Sequence, residues 1–370
     1  MGVKVLVRCK AIQPCKTLCS PHPNRRRHLL VMVVMAVVGG VMMSSRTNIY
    51  AQLAWTQRWI LRNRDMHLPW ATAGSQRQPL SHYYVKYPGN YPFVLDEPHL
   101  CQRLKPFLVI VVPVAPHERA AREAIRQTWG GGNVWVGRVV LTLFLLGLPG
   151  GEGGGGGGGG GGGTQQLQSA LRQEHSQHHN LLQASFVDSY GNLTLKTLLM
   201  MEWLSSRCPQ ATFATKVDSD VFLNVRNLVT LLADPNIPTR QYITGNMYRQ
   251  GPVQRNPNSK WFLPEEVYPE SVFPTYTLGY CYAFSIDLSA KVVKAARLFP
   301  PIYIEDLALG LYLNHLGIAP SDPPSPDLFR GHRPLLYNRC DYFTSISTIL
   351  LHSAELISVW EDLRQHSSSC

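Results

Sequence analysis

Uncharged apolar runs alternating with helical periodicity constrain this chain more than any other feature. Phe107-Leu108-Val109-Ile110-Val111-Val112 is continuous and apolar, as expected of a strand covered on both faces of a parallel sheet. Residues 117–129 then read as a helix, 138–146 as a second buried strand and 164–177 as a helix. Residues 182–187 read as a third strand, 194–206 as a helix with apolar side chains at helical spacing, and 212–217 as a fourth strand. Strands alternating with helices imply an α/β domain, a mostly parallel, Rossmann-like sheet with helices on both faces. Between the second strand and its helix, Gly150-Gly151-Glu152 precedes unbroken glycine over 153–163. The glycines lack the set spacing and the lysine of a phosphate loop. Residues 150–163 therefore read as an inserted Gly-rich surface loop, which chain entropy tolerates.

The formal net charge of +11 raises the question of a nucleic-acid partner, and its location answers it. Lys4, Arg8, Lys10, Lys16, Arg25, Arg26 and Arg27 give residues 1–28 a charge of +7 with no acid, while residues 101–370 carry only +1. A phosphate-backbone surface would concentrate its charge in the folded domain, so no nucleic-acid partner is expected. The basic segment instead precedes residues 29–43, which contain no charge. As a helix this run spans roughly 22 Å, and Ser44 and Ser45 bring it near the lower limit for a membrane span. Basic residues on its N-terminal side predict a cytoplasmic N-terminus, and a short span suits early secretory membranes. The expected organisation is a cytoplasmic tail (1–28), a transmembrane signal-anchor (29–45), a stem (46–100) and a lumenal domain (101–370). The alternative is a cleaved signal peptide, although no A-x-A-like site follows clearly.

Cys101, Cys208, Cys281, Cys340 and Cys370 fall on the lumenal side, where disulfides form. Their odd number leaves at least one without an intrachain partner. No C-x-x-C occurs, which argues against a zinc ribbon. Asn192-Leu193-Thr194 is a glycosylation sequon, read as lying in a loop after the third strand.

Two acidic signals carry chemistry. Asp218-Ser219-Asp220 ends the fourth apolar strand, where ligands of parallel sheets bind. Two carboxylates at this spacing can hold a hard cation and leave room for a diphosphate; a solvated turn is the other reading. Glu305-Asp306 opens an apolar helical stretch, as caps or dipole complements or as a general base.

The stretches Arg122-Glu123-Ala124-Ile125-Arg126-Gln127-Thr128-Trp129-Gly130, Phe144-Leu145-Leu146-Gly147, Phe186-Val187-Asp188-Ser189-Tyr190, Lys216-Val217-Asp218-Ser219-Asp220-Val221-Phe222, Lys260-Trp261 and Ile304-Glu305-Asp306 occur in this order. Together they resemble the β-1,3-galactosyltransferase family, which includes N-acetylglucosaminyl- and N-acetylgalactosaminyltransferases. The resemblance covers roughly 105–365. It implies a GT-A fold, Mn²⁺ dependence, a UDP-sugar donor, a glycan acceptor on glycoprotein or glycolipid, inversion at the anomeric carbon, and type II residence in the Golgi membrane. It further implies that Asp218 and Asp220 hold the metal, with His352 completing the site. Asp306 becomes the base and Glu305 the next candidate. Arg122, Arg126, Lys216 and Gly279 fall on the nucleotide side, although Arg122 and Arg126 also fit a solvated helix face. Thr277-Leu278-Gly279-Tyr280-Cys281-Tyr282 departs from the family's Cys-Ser-Gly-x-Gly-Tyr pattern, and the Cβ of Cys281 is expected to narrow the pocket. The alternatives are a transferase for UDP-GlcNAc or UDP-GalNAc, or an inactive glycan-binding Golgi protein of the same fold.

Overall fold

The computed structural model describes residues 80–150, 162–334, 336–350, 352–365 and 370. The expected tail, membrane span and stem up to residue 79 lie outside the described residues, as does 151–161 of the expected glycine loop. Among the described residues no helix is long and apolar enough to cross a membrane.

In chain order the elements are β1 (Phe93–Leu95), α1 (Leu100–Leu104), β2 (Leu108–Pro113), α2 (Arg119–Gln127), β3 (Val134–Trp135), β4 (Arg138–Leu148) and α3 (Gly162–His178). There follow β5 (Leu181–Val187), α4 (Leu193–Arg207), β6 (Phe213–Val217), β7 (Val221–Leu223), α5 (Val225–Leu232), β8 (Ile243–Tyr248), β9 (Tyr276–Ser285) and α6 (Asp287–Ala296). The last are α7 (Glu305–His315), β10 (Phe329–Arg330), α8 (Arg339–Thr344), β11 (Ser347–Ile349) and α9 (Ser353–Gln365).

The main sheet runs β1-β5-β4-β2-β6-β9-β8, with β3 paired to β4. Its centre, β5-β4-β2-β6, is parallel. Leu108, Val109 and Ile110 on β2 are inaccessible to solvent, because neighbouring strands and both faces cover them. That is why the run is continuously apolar instead of alternating. Beyond β6 the sheet continues antiparallel through β9 and β8, an extension the apolar runs did not announce. A second sheet, β10-β11-β7, takes up the chain just past Asp220.

Folded structure begins before the expected domain boundary at 101. A 3₁₀ turn forms at Leu80–Tyr83, Tyr84 bridges Ile302, and β1 adds antiparallel to β5. The physical reason is burial: Tyr83, Val85, Tyr87 and Leu95 all go into the core. Disulfides join Cys101 to Cys208 and Cys340 to Cys370, and Cys281 stays unpaired.

Candidate active site

Strands β2, β4, β5 and β6 are parallel, so their carboxyl ends share one edge, where ligands of such sheets bind. A buried ion pair ties part of that edge together. Lys196 on α4 donates to Asp188, past the end of β5, at 2.8 Å and to the carbonyl of Val114, past β2, at 2.9 Å. The N–H of Gly147 on β4 donates to the same Asp188 carboxylate at 2.8 Å. Burial pulls the Lys196 ammonium below the usual lysine range, and Asp188 opposes that loss of charge.

The acidic centre sits at the end of β6. Antiparallel pairing with β9 sets Lys216 opposite Tyr282 and Val217 opposite Cys281. Lys216 is buried; its Nζ lies 2.6 Å from Asp218 Oδ1 and 3.7 Å from Glu305 Oε2, and donates to the carbonyl of Gly279. An ammonium has three protons to give; Asp218 and the Gly279 carbonyl lie within hydrogen-bond reach, and Glu305 adds a longer ion pair. Burial alone would lower the Lys216 pKa, but Asp218 and Glu305 beside it hold it above the lysine range.

Glu305 and Asp306 begin α7. Glu305 Oε1 accepts from Thr197 Oγ1 and from Tyr282 Oη, each at 2.8 Å. Asp306 Oδ2 accepts from the Gly279 N–H at 3.1 Å, and Oδ1 from the Leu307 N–H at 2.9 Å. Burial raises both carboxyls above the usual range; Lys216 opposes the shift at Glu305, and the two N–H groups oppose it at Asp306. Gly279 is required by close approach, since a Cβ there would lie 2.8 Å from Glu305 Oε2. One backbone residue thus accepts from Lys216 and donates to Asp306.

Asp220 is exposed. Its carboxyl is raised by partial burial and by the like charge of Asp218. The carbonyl of Asp220 accepts from the N–H of Leu350 at 2.8 Å, which brings the turn bearing the exposed His352 to the same strand end. Among the described residues no three His, Cys, Asp or Glu side chains already converge on a metal position. The donor set of two carboxylates and an imidazole nevertheless fits a hard or borderline divalent cation. Two neighbouring carboxylates that repel each other are a reason for one to bind.

Beside the acids lies an exposed aromatic surface. Trp261 is 51% and Tyr190 53% exposed, and Lys260 Nζ sits 4.6 Å and 5.8 Å from their ring centroids. Partial burial raises the Tyr190 hydroxyl, and Asp306 and Asp218 are near enough to add to that shift.

Lys216, Asp218, Gly279, Glu305 and Asp306 are therefore brought together, with Asp220 and His352 at the adjoining edge. Other expectations need correction. The nucleotide-facing role of Arg122 and Arg126 does not match where their guanidiniums lie, nor does a solvated face. Arg122 is 1% exposed and grips Glu174 with Nε and Nη2 at 2.8 and 2.7 Å. Arg126 reaches the same Glu174 at 2.7 Å and Asn180 at 2.9 Å, lying over the Phe144 ring. These arginines fasten α2 to α3. Asn192 lies half-buried in the connection between β5 and α4. It closes a 3₁₀ turn at the start of α4, its amide donates to the Val187 carbonyl at 2.9 Å, and the buried Thr194 hydroxyl donates to Ile302. Cys281 does not narrow the site either: its side chain is wholly buried in the core cluster, and burial pushes its thiol up to about 12.

Sequence reasoning missed Tyr282 and Thr197, which orient Glu305, and the pairing of Asp188 with Lys196. A cross-strand tyrosine and a helical threonine leave no local pattern. Asp188 stood inside a quoted motif without an assigned partner, and Lys196 lies eight positions further on across a turn.

The Galactosyltransferase family model matches residues 120–324. Beta-1,3-galactosyltransferase 2 of Homo sapiens is 35% identical over 283 residues, covering 76% of this chain and 64% of that protein; that of Pongo abelii gives the same identity and coverage. This chain therefore spans under two thirds of the length of those relatives. Beta-1,3-galactosyltransferase 1 of Mus musculus is 34% identical over 277 residues, covering 75% of this chain and 79% of that protein. A crystal structure of a glycosyltransferase involved in the glycosylation of the major capsid of PBCV-1 overlays with a TM-score of 0.33 at 11% identity, covering 70% of this chain and all of that one, too distant a likeness to add to the sequence relation. With the family model covering more than half of the chain and relatives above 30% identity aligned along most of it, this chain belongs to the galactosyltransferase family.

Proposed function

We propose that the chain is a GT-A-type hexosyltransferase that moves galactose from UDP-galactose to the 3-hydroxyl of a glycan acceptor, inverting the donor to a β-1,3 linkage. The observation that carries this reading is the Lys216 junction, which ties Asp218 to Glu305 and, through Gly279, to Asp306. A carboxylate suited to the leaving diphosphate and a carboxylate suited to the attacking hydroxyl are thereby fixed in one frame. The sugar and linkage are those named for the relatives.

The roles follow from the surroundings. Asp306 is only partly buried and is held by two backbone N–H groups. Its raised proton affinity makes it a stronger base toward the acceptor hydroxyl. Glu305 is buried and committed to Thr197, Tyr282 and Lys216, so it positions and does not transfer protons. Tyr190 and Trp261 offer apolar faces on which a pyranose ring can lie. Asp220, Asp218 and His352 would hold a divalent cation, Mn²⁺ by expectation. When bound, that cation neutralises charge on the departing diphosphate. The basic residues before the uncharged run at 29–43 support a type II Golgi membrane location.

The test is a donor screen. The full chain, in detergent with Mn²⁺, is given UDP-galactose, UDP-GlcNAc and UDP-GalNAc with β-linked pyranoside acceptors, and product linkage is determined. Galactose transfer to O3 is expected. A clear preference for another donor would redirect the proposal to that sugar, and no transfer from any donor would sink it.

A further inference from the structure

Between β8 and β9 the chain leaves the sheet over residues 249–275 and returns, carrying Lys260 and Trp261 at its outer part. Arg255 holds this excursion to itself, donating to the carbonyls of Leu263, Tyr268 and Glu270 at 2.6, 2.6 and 2.8 Å. Its tie to the acidic centre is different. Tyr303 Oη lies 2.9 Å from the carbonyl of Lys260 and 3.0 Å from that of Phe262, the carbonyls on either side of Trp261. One hydroxyl proton serves both acceptors, so this single hydroxyl ties the backbone on both sides of Trp261.

Tyr303 is itself well fixed. Its N–H donates to the Tyr83 carbonyl at 2.9 Å. Its ring centroid lies 6.2 Å from that of Tyr83, which stands edge-on to Phe262 at 6.0 Å. It stands three positions before Asp306, separated from α7 by the extended residue Ile304. The same short segment therefore sets the start of the helix bearing Asp306 and the position of the exposed indole.

We infer that Tyr303 is a positioning residue for acceptor recognition, its hydroxyl fixing the aromatic face of Trp261 relative to the carboxylate of Asp306. This rests on the reading that the Tyr190–Trp261 surface receives the acceptor pyranose. The consequence is selective. The hydroxyl bonds to the Lys260 and Phe262 carbonyls and not to the Asp218–Asp220 side or Lys216, so donor recognition does not depend on it.

Tyr303→Phe keeps the ring against Tyr83 and removes only the hydroxyl. A hydrogen bond of ordinary net strength corresponds to about 2–10-fold in an equilibrium. The expected result is an acceptor KM raised about 3–10-fold, with the KM for UDP-galactose within twofold and the thermal midpoint nearly unchanged. Binding of methyl β-pyranosides of galactose, N-acetylglucosamine and N-acetylgalactosamine is followed in parallel by saturation-transfer NMR on the wild type, Trp261→Ala and Tyr303→Phe. Pyranoside signal lost in Trp261→Ala and weakened in Tyr303→Phe supports the inference. Signal lost in Trp261→Ala but unchanged in Tyr303→Phe, with unchanged acceptor KM, overturns the role of Tyr303 and leaves the aromatic surface standing. Signal unaffected by Trp261→Ala, or absent in the wild type, overturns both. Equal rises in donor and acceptor KM for Tyr303→Phe show a general disturbance and also overturn it.

Discussion

At the scale of single residues, Glu174 holds two guanidiniums at once. Burial alone would raise its carboxyl, but Arg122 and Arg126 keep it below the usual range. Glu174→Ala would leave the buried Arg122 without a counter-charge and Arg126 with only Glu123, and a loss of about 3–5 kcal/mol is expected, read from denaturant unfolding. The KM for UDP-galactose in the remaining folded protein should not change; a large rise would restore Arg122 to the nucleotide side. The sequence could not separate these roles, because an i, i+4 arginine pair looks the same whether it faces solvent, a ligand or an acid some fifty positions away. The acids of the centre were legible because their context is local: an apolar strand ends in Asp218, and an apolar helix starts at Glu305. Their roles separate by mutation. Asp306→Asn should keep donor binding while transfer falls about 10²–10⁴-fold. Asp220→Ala should weaken metal-dependent donor binding as well as rate.

At the scale of elements, the parallel centre of the sheet was readable because burial on both faces demands uninterrupted Val, Leu and Ile. The antiparallel half was not. Tyr276-Thr277-Leu278-Gly279-Tyr280-Cys281-Tyr282 mixes aromatic, small and polar residues, since the Tyr282 hydroxyl and Gly279 serve the start of α7 instead of the core alone. That contact makes the seam between β9 and α7 sensitive to a single methyl group. Gly279→Ala would press on Glu305 Oε2 and displace the helix start. A destabilisation of about 1–3 kcal/mol is expected, with transfer falling by more than that stability loss explains. Thermal unfolding and turnover on the same sample check it, and unchanged turnover would mean that the helix start tolerates the shift.

At the scale of the whole molecule, the start of the folded domain was placed too late, because Tyr83 and Tyr87 look like scattered aromatics until their partners, Tyr303 and Glu202, are known. Removal of residues 1–79 should leave a folded protein. Removal of 1–100 should not: it exposes the surfaces that Tyr83, Val85, Tyr87 and Leu95 cover, each worth about 1.5–3 kcal/mol, against a total stability of about 5–15 kcal/mol. Circular dichroism of the two truncations tells them apart. The bridge between Tyr84 and Ile302 also carries a consequence for biosynthesis. Its two halves are separated by roughly 220 residues, and a ribosome adding about 5–20 residues per second needs on the order of 10–40 s to bring the second half into being. Throughout that interval the segment around Tyr84 lacks the backbone it pairs with, so the order of synthesis runs opposite to the order in which this end of the domain can close.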